Sequence, residues 1–153
     1  MPMTTKGSAL IAFSLGVAVL ALCSFTIAGR TKRATAQSQA PEIARGKYLV
    51  DNVAMCSECH TPRDSEGNLD RQAYLEGAPV WIVPTKHIPD WAQYAPVLAG
   101  LPSYTDDQMQ NVLEHGIGPN GDTIRPPMHI YHMNPEDTKA IIAYLRSLPV
   151  RKH

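Results

Sequence analysis

Two cysteines three positions apart and followed at once by a histidine, Cys56-Ser57-Glu58-Cys59-His60, constrain this chain more than any other feature. A disulfide inside Cys56-x-x-Cys59 would close a loop too short to staple anything. A thioredoxin-like redox pair wants a βαβ pattern around it, and none is present. A zinc site needs two further ligands; there is no second cysteine pair, although His87, His115, His129 and His132 keep that option formally open. The Cys-x-x-Cys-His spacing itself is the signature of covalent c-type haem attachment. Two thiols on one helical turn can each add to one of two vinyl groups on adjacent pyrroles, which leaves His60 beneath the iron as proximal ligand. The other ring nitrogen of His60 then needs an acceptor to fix its tautomer and orientation.

The leader agrees with this chemistry. Residues 9–28, ALIAFSLGVAVLALCSFTIA, are twenty uncharged positions, preceded by Lys6 and followed by Arg30, Lys32 and Arg33. That length spans a bilayer core and exceeds the apolar stretch of an ordinary signal peptide. Residues 1–30 are therefore expected to form a transmembrane anchor, with a signal peptide cleaved near Ala36, after Ala34-Thr35-Ala36, as the alternative. Flanking charges would leave the C-terminal side in the cytoplasm; attachment of bacterial c-type haem outside it requires the opposite, and we give the chemistry precedence. Leu22 before Cys23 argues against a lipid-modified cysteine, so Cys23 is read as a small apolar residue.

Charge divides at the same place. The 153 residues hold 14 Lys+Arg and 14 Asp+Glu, but from Pro41 onward there are 10 basic and 14 acidic residues, a net of −4, against four basic residues before it. An acidic domain without a Lys/Arg cluster lacks the electrostatic footprint of nucleic-acid binding. No Ser/His/Asp constellation, paired carboxylates or phosphate-cradling glycine loop suggests bond-making catalysis. The length allows one modest domain and a tail.

Residues 31–40 are expected to be a flexible tether, 41–150 the globular domain and 151–153 a tail. Pro41-Glu42 opens a helix to about Met55, with Ile43, Tyr48, Leu49 and Val53 as its apolar stripe. Thr105-Asp106-Asp107-Gln108 is a capping-box pattern that starts a second helix, stopped at Gly116. Asn134-Pro135-Glu136-Asp137 starts a third, carrying Ile141, Ile142, Leu145 and Leu148 and ending at Pro149. Between His60 and Thr105, six prolines break any long element, and no alternating strand pattern is evident. The fold class is therefore small, all-α and loop-rich. Its core is marginal unless something else fills the centre.

With these residues in place, the stretch 41–150 resembles the class I cytochrome c family, and specifically bacterial monohaem cytochromes associated with periplasmic dehydrogenases. Gly46 and Tyr48 with Tyr144-Leu145 look like that family's crossing of first and last helices. Ala95-Pro96-Val97-Leu98-Ala99-Gly100 resembles its proline-leucine-glycine loop, which implies that the Pro96 carbonyl accepts from His60. Residues 61–94 form a longer insertion than in minimal members. The resemblance implies three main helices wrapped around one haem c.

A haem that only passes electrons needs a sixth ligand that shuts out oxygen and peroxide. Met128, His129, His132 and Met133 are the candidates. Pro126-Pro127 restricts the backbone before Met128, and Met128 lies sixteen residues before Tyr144, as in the family. Met128 is the first choice and His132 the second; Met133 is read as a hydrophobic plug, and the bland alternative is that Met128 only packs. Arg63, Arg125 and Tyr104 are weaker candidates for contact with the propionates or the crevice. Trp81, Trp91 and Tyr94 are read as core or crevice packing.

The expected function is one-electron transfer by a single covalently bound haem c, with no enzymatic activity of its own. Its partners would be a dehydrogenase, a quinol-oxidising complex or a terminal oxidase at the bacterial periplasmic membrane. The alternatives are the cytochrome subunit of an alcohol, aldehyde or hydroxylase-type dehydrogenase complex, and a haem-based sensor.

Overall fold

The computed structural model describes residues 39–150. The expected anchor or signal at 1–30, most of the tether and the tail at 151–153 lie outside the described residues. Among the described residues, no helix is long and apolar enough to cross a membrane.

Residues 39–48 are helical and form α1, which continues without a break into a π turn at Leu49–Val53. The last two tether positions are thus already helical. Proline's fixed φ matches the helix, so Pro41 marks the neighbourhood of a start and not its first residue. The apolar stripe also differs from expectation. Tyr48 and Val53 are 54% and 52% exposed, whereas Leu49 and Val50 are both buried. The wide turn, closed by Ala54 N–H to the Leu49 carbonyl at 2.8 Å, changes the angular step between residues and turns two adjacent side chains inward.

The inward row of α1 includes Gly46 in place of Tyr48. A Cβ built on Gly46 would sit 1.9 Å from the carbonyl oxygen of Ala140 and 2.7 Å from the Tyr144 Cβ. Only a hydrogen at this position allows α1 to cross the last helix so closely.

Two further helices follow from local signals. In α3, Asp106–His115, Thr105 Oγ1 accepts from the Gln108 amide at 3.2 Å while Gln108 Oε1 accepts from the Thr105 amide at 2.9 Å. This reciprocal pair satisfies two of the helix's free N–H groups. Gly116, at φ 69°, takes the left-handed conformation that ends the helix. In α4, Pro135–Ser147, Asn134 Oδ1 caps the Asp137 amide at 2.8 Å and Pro135 occupies the first turn. Arg146 of α4 donates to the carbonyls of Gly100, Leu101 and Tyr104 and pairs with Asp106, which ties α4 to the segment before α3. The short α2, Ser57–His60, lies within the cysteine motif.

The region from His60 to Thr105 is less irregular than its prolines suggest. A single 3-10 turn spans Arg71–Ala73, and β1, Ala78–Pro79, pairs antiparallel with β2, Tyr94–Ala95, in register Ala78 to Ala95. Pro79 is accommodated because a two-stranded ribbon leaves one side of each strand unpaired. Leu75 is fully buried: its carbonyl accepts from the Leu98 and Ala99 amides, and its own amide donates to Thr61 Oγ1 at 3.0 Å. Leu75 of the insertion is therefore core, joined with Leu49, Val50, Leu101, Met109, Val112, Leu113, Ile141 and Leu145 in one cluster.

Candidate functional site

A cavity of about 500 Å³ opens beside this cluster. Leu98, Met109, Val112, Leu113, Ile141 and Leu145 line it with hydrocarbon, and Cys56, Cys59, His60 and Met128 line the same space. The chain thus brings the pentapeptide and the first-choice distal ligand, some 70 residues apart, to one pocket.

His60 is buried, and its Nδ1 lies 2.7 Å from the Pro96 carbonyl oxygen. A carbonyl only accepts, so Nδ1 carries the proton and donates it. Burial lowers the pKa of His60 and outweighs the opposing effect of the Pro96 bond, which leaves the imidazole neutral. In a neutral ring with Nδ1–H, the lone pair is on Nε2, the arrangement of a metal-ligating histidine oriented by a backbone carbonyl.

Cys56 and Cys59 are both free. Burial pushes the Cys56 thiol up to about 12 and raises that of Cys59 as well. Thioredoxin-like redox pairs depend on a depressed thiol pKa, so these neutral thiols have the opposite character.

The weaker candidates separate. Arg125 and Tyr104 line the cavity, as does Tyr94, and burial raises the Tyr104 phenol. Arg63 does not line it. Its Nη2 pairs with Glu58 Oε2 at 2.7 Å, its Nη1 donates to the Gly67 carbonyl, and its guanidinium stacks 4.5 Å from the Trp81 ring centroid. Trp81 Nε1 donates to the Glu58 carbonyl at 3.0 Å. Arg63 and Trp81 therefore clamp the cysteine turn from outside; sequence proximity to the motif did not distinguish that role from contact with the ligand. His132 is exposed and outside the lining, while His129 lines it. Met133 packs against the core.

One lining residue escaped the sequence. Tyr131 donates from its hydroxyl to the Ala54 carbonyl at 2.8 Å, and burial pushes its phenol up to about 12. A tyrosine between two histidines carries no local signal of a partner 77 positions away.

Fold and site together define a small, mainly helical protein built around an apolar cavity that carries a Cys-x-x-Cys-His turn. The cytochrome c family model matches residues 43–149, well over half the chain. The chain is 32% identical over 114 residues to the fructose dehydrogenase cytochrome subunit of Gluconobacter japonicus, covering 70% of this chain and 22% of that one. It is 31% identical over 118 residues to a diheme cytochrome c-type of Cereibacter sphaeroides, with 72% and 36% covered. It is also 31% identical over 125 residues to the cytochrome c subunit of an alcohol dehydrogenase (quinone) of Gluconobacter oxydans, with 71% and 24% covered. The chain thus spans 22–36% of the length of these curated relatives. It belongs to the cytochrome c family, as a class I c-type cytochrome, and the cofactor of that family is haem c. The cavity fits that group: two free neutral thiols, a histidine with its Nε2 lone pair available, and an apolar lining stand together.

Proposed function

We propose that this chain is a one-electron transfer protein holding a single haem c. Cys56 and Cys59 hold the macrocycle through thioethers, His60 Nε2 is the proximal ligand and Met128 the distal one. The observation that carries this is the His60 Nδ1 to Pro96 bond beside two free thiols, in a cavity also lined by Met128. When bound, the haem supplies a reversible one-electron couple. The protein's part is orientation and exclusion: Pro96 fixes the imidazole, the aliphatic lining keeps water out, and Met128 would supply the second protein ligand to the iron. Arg125 and Tyr104 are the residues best placed to meet the propionates.

A heterologous chain made with a haem-maturation system is expected to retain haem stain on a denaturing gel. Cys56→Ala/Cys59→Ala is expected to lose all of it. An unstained wild type, or a double variant that stays stained, would falsify covalent attachment.

The relatives favour a second reading of the same site, because several bear the names of dehydrogenase cytochrome subunits. In that reading the electron comes from a dehydrogenase bound in a complex. Purification in mild detergent separates the two: a free carrier elutes alone, and a subunit brings a dehydrogenase with it. Both place the domain in the bacterial periplasm, tethered by residues 9–28 or released from them. The −4 charge from Pro41 onward grows more negative with two propionates, so a donor or acceptor with a positive face suits it. Electron-transfer rates are expected to fall as salt rises, and rates indifferent to salt would remove electrostatic docking.

A further inference from the structure

The segment that carries Met128 is tied down on both sides. Before it, the Ala92 amide donates to the Pro126 carbonyl at 2.7 Å, which joins the segment to the insertion. After it, the Tyr131 hydroxyl donates to the Ala54 carbonyl at 2.8 Å, which joins it to the end of the π turn, two residues before Cys56. The Met133 amide then donates to the Leu113 carbonyl of α3 at 3.0 Å. Of these three ties, Tyr131 makes the only one from a side chain, and it alone links the Met128 segment directly to the approach to the cysteine turn. His129 packs edge-on against the Tyr131 ring at 5.1 Å, so its imidazole is occupied from that side.

We infer that Tyr131 is a positioning residue that latches the Met128 segment to the cysteine turn through Ala54. The inference rests on Met128 being the distal ligand. Release of the latch leaves the C-terminal side of the segment held only by the Met133 amide on α3, with no tie to the cysteine turn, and the distal position opens more often. An external ligand that binds only the open form then gains apparent affinity in proportion to the open fraction.

The test is imidazole binding to the oxidised holoprotein, followed by its absorption spectrum. Tyr131→Phe keeps the ring and removes the bond, so imidazole is expected to bind roughly three- to tenfold more tightly, as loss of one hydrogen bond implies. The comparison variant is Tyr74→Phe. Tyr74 donates to Asp51 and accepts from Tyr144 outside the cavity, so this change weakens the fold without touching the latch. Its imidazole affinity is expected to stay within about twofold of wild type, inside the context-dependence of such bonds.

Unchanged affinity in Tyr131→Phe, or an equal gain in both variants, overturns the latch. If Tyr131→Phe does not accumulate, ultraviolet resonance Raman of the wild type decides: the hydrogen-bonded tyrosine signature is lost on imidazole binding if the latch opens, and its persistence overturns it. Met128→Ala separates the layers. If that variant keeps the wild-type ligand spectrum, the ligand assignment has failed; if it loses it while Tyr131→Phe does nothing, only the latch has failed.

Discussion

Met128→Ala is expected to abolish the sulfur-to-iron charge-transfer absorption of the oxidised protein and to let carbon monoxide bind the reduced form at neutral pH. The wild type is expected to show the band and to resist carbon monoxide. A thioether in this position closes the iron to small ligands and favours a higher-potential couple, so its loss opens a position and lowers the midpoint potential together. The structure narrows the competitors. His132 is exposed and outside the cavity, and Met133 is packed on the core, whereas Met128 is partly buried in the lining. His129 also lines the cavity, so a bis-histidine spectrum in Met128→Ala would identify it as the replacement. Absence of the charge-transfer band in the wild type would sink methionine ligation and make the sensor alternative the better account.

Gly46→Ala is expected to destabilise the domain by roughly 3 kcal/mol, near the upper end for overpacking, although alanine is the better helix former by about 1 kcal/mol. The added methyl would meet the Ala140 carbonyl oxygen at 1.9 Å and its carbon at 2.6 Å. These are backbone atoms of α4 and cannot rotate away. The helices must separate, and α4 carries Ile141 and Leu145 into the cavity lining. A lowering of Tm by roughly 10–20 °C, measured on the holoprotein, corresponds to that cost for a domain of this size. A Tm equal to or above wild type would show that the crossing is looser than its geometry. Because the same helix lines the cavity, haem loading is expected to fall alongside stability.

The insertion shows where local reasoning stops. Its prolines removed the periodicity by which elements are recognised, yet Leu75 lies fully buried and Trp81 is clamped onto the cysteine turn. Neither contact has a signature within a few residues. Of the two residues that the resemblance puts at the helix crossing, Gly46 lies against Ala140 and Tyr144, whereas Tyr48 is exposed.

Within its own letters the chain determined what neighbouring residues can settle among themselves. The spacing of Cys56, Cys59 and His60 carries the expectation of covalent haem attachment. Thr105 with Gln108 and Asn134 with Pro135 start two helices, and Gly116 ends one, because caps act within a single turn. Closure over distance belongs to the tertiary structure: family resemblance alone pointed to Pro96 against His60 across 36 positions and to Gly46 at the helix crossing, and nothing pointed to Tyr131 against Ala54 across 77. The physical reason is that a carbonyl acceptor or a missing side chain is common to many positions. Which one meets its partner depends on how the helices and the insertion pack around the cavity.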